Sequence, residues 1–248
     1  MKTIYIDCGM GAAGDMLTAA LVELMNNPHK IVNELNLIGI PAVKYEMTKS
    51  EKRGVTGTHI SVTINGVEEC EEVLSEHHHG SSMHHISHII NELNVNDKVK
   101  SDALNVYNII AKAESEVHGV PVTDIHFHEV GTMDAVADVV AVCWLMDKIG
   151  AERIIASPIN TGSGMVKCAH GILPVPAPAT ANILEGVPSY SDEIKGELCT
   201  PTGAALVTYF ASDYCEAPEI KNIRAGYGMG NKDFPRPNCV RIYMGETE

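Results

Sequence analysis

"IYIDCGMGAAGDML", residues 4–17, sets Gly9, Gly11 and Gly14 in the spacing G-x-G-x-x-G directly after an apolar run. Residues 2–8 alternate polar and apolar side chains, which reads as a strand, and "AGDMLTAALVELM" continues at helical spacing. A strand, a glycine turn and a helix are the local form of a phosphate-binding loop, because glycine lets the backbone approach an anion and the helix start presents unpaired N–H groups. The next requirement fails. A dinucleotide fold needs a second parallel strand ending in an acid about 20 residues on, and that window holds another helix, from Pro28 to about Leu37. No G-K-[ST] follows for a triphosphate, and Asp15 in the first helical turn competes with an anion for that positive end. Two readings stay open: a structural turn, or a site in which Asp7 and Asp15 hold a cation.

Outward from this unit, the order of elements defines an α/β protein with a mixed sheet and flanking helices. "VKYEMTKSEK" and "TGTHISVTING" read as strands meeting at Gly54, so residues 31–65 are a candidate for a separate small α+β lobe. "SSMHHISHIINEL" (81–93) places Ile86, Ile89, Ile90 and Leu93 at helical spacing, with Ser81 or Ser82 as N-cap. A second helix carries Val99, Ala103, Val106, Ile110, Ala113 and Val117 on one stripe and stops at Gly119. A third, 132–150, is apolar almost all round and is therefore expected to be buried, Cys143 with it. "ERIIASPIN" reads as a strand. "GILPVPAPAT" is proline-rich and is expected to be a stiff extended connector. A helix over 203–210 and strands near 219–228 and 238–244 end the chain.

Composition narrows the partners. The 248 residues are 45% apolar and 20% charged, a globular balance. Eighteen basic against 32 acidic residues give a formal charge of −14, which repels nucleic acid and favours cations. No apolar run reaches the roughly 20 residues that span a bilayer, and the first residues lack a signal-peptide pattern. Seven cysteines without a C-x-x-C read as reduced thiols. A cytoplasmic protein without membrane contact is expected, and a homo-oligomer is compatible with all of this.

Histidine is the unusual residue: twelve in all, six of them between His77 and His88. On the 84–93 helix the isoleucines take one side while His84 and His88 face the other and His85 lies at the flank. An i, i+4 pair of imidazoles can meet one metal ion. His77, His78 and His79 precede them, in a His-rich loop over 76–85, and imidazole suits nickel, copper and zinc. The tract reads as a transition-metal collector, with a merely solvated loop as the alternative. Further on, "DIHFHEVGTMDAVAD" sets His126 and His128 on one side of an extended segment, followed by Glu129 and by Asp134 and Asp138 on one helix face. Two carboxylates on an apolar helix are costly unless paired or ligating a metal. Helix capping by Asp134 explains one of them and leaves Asp138 without a reason.

"GAAGDM", "VHGVPVTDIHFHEVGTMDAVAD", "SGMVKCAHGILPVPAPAT", "ELCTPTGAAL" and "GYGMGNKDFPRPN", in this order and with the histidine tract, resemble the nickel insertion proteins of nickel-pincer nucleotide biosynthesis, the LarC family. The resemblance runs from residue 4 to about 244. It implies a cyclometallase of the lyase class that inserts nickel into pyridinium-3,5-bisthiocarboxylic acid mononucleotide, forming nickel–carbon and nickel–sulfur bonds with hydrolysis of CTP and a need for Mg2+ or Mn2+. The product resembles the lactate racemase cofactor. Gly9 stands where the family usually has phenylalanine and Met10 where it has serine, so the first glycine of the fingerprint is incidental. Family members commonly continue into a further domain associated with CTP, so this chain is expected to be an N-terminal portion, either a natural split product that works with a separately encoded C-terminal domain or a piece of a longer chain.

On that resemblance His77, His78, His79, His84, His85 and His88 gather the ion. His126, His128 and Glu129, with Asp134 and Asp138, hold metal or act as bases where it enters the substrate. Loss of a ring proton calls for a base; Glu129 and His128 are the candidates and His170 the third. Thr200, Thr202 and Gly203 either line a substrate pocket at a helix start or form an ordinary loop. Two alternatives remain: a nickel store without catalysis, and a metal-dependent hydrolase.

Overall fold

The computed structural model describes residues 1–68, 81–127, 129–168 and 170–248. Strand β1 (Lys2–Asp7) leads through the glycine turn into α1 (Gly14–Glu23). Helix α2 (Pro28–Leu35) begins with proline, whose missing N–H would be unpaired there anyway, and Asn27 caps it by accepting from the Lys30 N–H. The hairpin of β2 (Val43–Lys52) and β3 (Val55–Ile64) turns through Arg53 and Gly54, both at positive φ, and β4 (Val67–Glu68) folds back on β3. Next, β5 (Ser81–Ser82) and β6 (His126–Phe127) pair antiparallel and bracket α3 (Met83–Glu92) and α4 (Asp97–His118). Ser82 and Asn96 cap these helices, and Gly119 ends α4 in the left-handed conformation.

Helix α5 (Met133–Ile149), buried along most of its length with Cys143 inside, is capped by Thr132 rather than by Asp134. Strand β7 (Arg153–Ala156) follows, then short pieces: β8 (Ile159–Asn160), β9 (Gly162–Ser163), the hairpin of β10 (Met165–Cys168) and β11 (Gly171–Pro174), and helix α6 (Pro178–Ile183). Strand β12 (Ser189–Tyr190) pairs with β8, and β13 (Gly196–Glu197) with β9. Helix α7 (Pro201–Phe210), β14 (Asp213–Tyr214), β15 (Lys221–Met229) and β16 (Cys239–Glu246) complete the fold.

The principal sheet has eight strands in the order β14-β7-β1-β16-β15-β3-β2, with β4 on β3. Strand β1 is parallel to β7 and antiparallel to β16, so the sheet is mixed as expected. Residues 31–65 share it: β3 pairs with β15, and Ile31, Leu35, Tyr45 and Ile60 belong to the same apolar cluster as α1 and α5. Two expectations need correction. The proline-rich 171–180 segment is not one extended connector, because Pro174 ends a two-stranded hairpin and Pro178 opens a helix, both places where a missing N–H is tolerated. Val117 leaves the buried stripe of α4 and is 39% exposed, since the last turn of that helix projects past the core.

Helix α1 is seated unusually low on the sheet. Glycines 226 and 228 of β15 lie under it, and a Cβ at either would fall inside the van der Waals shell of a helix carbonyl, that of Ala20 or Met16. Helix α5 covers α1, and α4 covers α5. Gly228→Ala is therefore expected to lift α1 and destabilise the protein by about 3 kcal/mol, the upper end of ordinary overpacking costs, read as a lower denaturant midpoint.

Candidate functional site

The glycine turn sets the site. Ala13 occupies the N-cap of α1 and has no side chain with which to cap it. The missing acceptor comes from α5: Asp138 receives the Asp15 backbone N–H, and a Cβ at Gly14 would collide with the Asp138 carboxylate. This closes the question of the phosphate loop, because the helix start that would receive an anion is already occupied by an internal carboxylate. It also supplies the reason for Asp138 that its sequence position lacked.

Asp138 is only 9% exposed, and its Oδ1 has no hydrogen-bond partner among the described residues. Burial, then the nearby carboxylates of Asp134 and Asp15, push its pKa well above the ordinary carboxylate range. Buried tyrosines stand close by on two other elements: Tyr45 donates to the Ala137 carbonyl at 2.7 Å, and Tyr107 to the Val130 carbonyl at 3.3 Å.

Above this floor opens a cavity of about 480 Å³. Six acids line it, Asp15, Glu114, Glu129, Asp134, Asp138 and Glu197, against two lysines, Lys167 and Lys232. The last turn of α4 contributes Glu114 and His118, 3.4 Å apart, and the turn of the β10–β11 hairpin lays His170 beside His118 with ring centres 5.0 Å apart. Burial raises the Glu114 pKa, and it does the same for the Cys168 thiol on the same hairpin. Thr200 caps α7 by accepting from the Gly203 N–H at 3.1 Å.

Of the expected site residues, Glu129, His170, Asp134, Asp138, Asp15, Thr200 and Thr202 line this one cavity. Gly203 does not; it lets α7 approach the Ala12 carbonyl. Asp7 is separate from Asp15, its carboxylate accepting from Gly9 N–H at 3.0 Å and pairing with Arg241 at 2.6 Å, so the two do not form a cation site together. His84, His85 and His88 are exposed on the outer face of α3, opposite buried Ile86, Ile89 and Ile90. His126 is exposed on β6, across from Ser82 at the start of that helix. His77, His78, His79 and His128 lie outside the described residues. Among the described residues no three His, Cys, Asp or Glu side chains are arranged to hold a metal ion. Glu114, His118, Lys167, Cys168 and Lys232 were not anticipated. The i, i+4 pair Glu114/His118 at the end of α4 was the one local signal that pointed there.

A mixed α/β chain with an acid-rich cavity at the start of α1 and exposed histidines on α3 is the class that this geometry defines. The chain belongs to the nickel insertion protein family, whose model matches residues 4–248. Similar proteins include one named putative nickel insertion protein from Dictyoglomus thermophilum, 39% identical over 99% of this chain and 61% of its own length. Proteins named pyridinium-3,5-bisthiocarboxylic acid mononucleotide nickel insertion protein are similar too. That of Clostridium kluyveri is 39% identical over 100% of this chain and 63% of its own. That of Desulfitobacterium hafniense strain DCB-2 is 40% identical over 99% and 59%. The chain thus spans about 60% of the length of these relatives. No solved structure matches it. No helix among the described residues is long and apolar enough to cross a membrane.

The raised Asp138 pKa has a consequence for stability. Native protein keeps a proton that the unfolded chain releases above about pH 4, so the group's contribution falls as pH rises from there through the folded pKa. Asp138→Asn keeps an acceptor for the Asp15 N–H and does not titrate. Urea midpoints of variant and parent are expected to diverge in favour of the variant with rising pH and to run parallel below about pH 4.

Proposed function

We propose that this chain takes part in inserting nickel into pyridinium-3,5-bisthiocarboxylic acid mononucleotide, in making a nickel-pincer cofactor of the lactate racemase type. The observation that carries the reading is the family match across almost the whole chain, joined to a cavity rich in carboxylates. The carboxylates suit the pyridinium cation and the incoming Ni2+. Lys167 and Lys232 suit the phosphate and thiocarboxylates of the same substrate. Nickel is gathered by the exposed histidines His84, His85, His88 and His126, with His77, His78, His79 and His128 assigned to the same role from the sequence alone.

CTP with Mg2+ or Mn2+ belongs to the reaction as the family suggests, but the cavity does not fit it. Two lysines beside six acids match a phosphate monoester and leave a triphosphate, with about four negative charges at neutral pH, without counter-charge. Nucleotide hydrolysis is therefore assigned to a C-terminal part such as the longer relatives have room for.

A second reading, nickel storage without catalysis, draws on the exposure of the α3 imidazoles. Two measurements separate them. Mixing the chain with Ni2+, the thiolated mononucleotide and CTP is expected to change the absorption spectrum when a C-terminal part is added; no change in either mixture removes the enzyme reading. In nickel titration calorimetry, His84→Ala with His88→Ala is expected to remove weak sites. If that variant still converts substrate at high nickel, the tract is a collector and not the reaction centre.

A further inference from the structure

We propose that Asp138 is the proton acceptor of the reaction. The inference rests on the function proposed above and selects one acid of the cavity in place of Glu129, His128 and His170, the candidates that the sequence put first. Forming a nickel–carbon bond at the pyridinium ring breaks a ring C–H bond. The electron pair of that bond goes to nickel, and the proton must go to a base.

Three geometric facts favour Asp138 over the other acids of the cavity. It lies at the start of α1, where helix, cavity and α5 meet, so a ligand filling the cavity lies against it. One oxygen is fixed by the Asp15 N–H, which holds the carboxylate in one orientation. The other, Oδ1, is buried and has no partner among the described residues, an arrangement that native proteins keep at few positions because an unpaired buried acceptor costs free energy. A bound substrate would supply the missing partner, and the ring proton is the one the reaction releases.

The surroundings set its basicity. Asp134 faces it from its own helix and Asp15 from α1, while Tyr45 of β2 and Tyr107 of α4 stand within electrostatic range. No lysine or arginine is among the described groups that act on it. Once ionised, a carboxylate in such a place is a stronger base than one in water.

The test uses this chain together with the C-terminal part, supplied with Ni2+, CTP and the thiolated pyridinium mononucleotide. Product is followed by absorption, and loss of the ring proton by NMR. Asp138→Asn is expected to fold, to bind the mononucleotide within a few-fold of the parent by calorimetry, and to form product about 100-fold more slowly. Asp138→Glu is expected to restore part of the rate with a displaced pH profile. Parent-like rates in Asp138→Asn, or a pH profile in Asp138→Glu that superimposes on the parent's, overturn the assignment while leaving the proposed function intact. Should Asp138→Asn fail to fold, the pH profile of Asp138→Glu decides alone. A parent protein that forms no product removes the function and this inference together.

Discussion

The low seat of α1 on β15 is the constraint from which the rest of this structure follows. With hydrogen atoms in place of side chains at 226 and 228, helix backbone rests on strand backbone, and the helix start is driven deep into the molecule. A buried helix start without a capping side chain leaves N–H groups that must find acceptors. Asp138 answers that need from α5, and Gly14 leaves the room for it. Three elements distant in sequence are thereby locked at one point, which is also the floor of the cavity.

The same lock creates an electrostatic tension. A carboxylate that accepts an N–H at a helix start is normally favoured in its charged form. Here burial and two neighbouring carboxylates outweigh that preference, so the pKa moves up rather than down. Two tyrosines on separate elements are held in the same acid-bounded region, each with its hydroxyl spent on a backbone carbonyl. A structure that needed only a cap could have used serine or threonine at 13, as Thr132 and Thr200 do for α5 and α7. The use of a buried acid in its place is hard to explain by stability alone.

Much of the fold was legible because its signals are local. Ser82 and Gly119 mark helix ends by chemistry that acts within four residues, and the isoleucines of α3 sort inward by spacing. Prolines 174 and 178 misled because their cost depends on position within an element, which composition does not reveal. The site divides in the same way. Glu129, Asp134 and Asp138 are near one another in sequence and fell into one cavity, whereas His118, Cys168 and Lys232 arrive from three other parts of the chain and meet only through the packing of α4, the β10–β11 hairpin and the segment after β15. Asp7 was wrongly coupled to Asp15 because a turn of glycines hides which way each carboxylate leaves the backbone.

The two polar regions, the histidines of α3 and the acids of the cavity, differ in kind, and the pairing of Ser82 with His126 ties one to the other. His126, across from the start of α3, is three residues from Glu129, a span of at most about 11 Å even if fully extended. Six carboxylates draw a divalent cation inward, yet no three ligand side chains among the described residues converge to chelate it. On the proposed function, nickel concentrated beside the two sulfur donors of the substrate passes to them downhill, since soft thiolate ligands compete well for this ion against carboxylates.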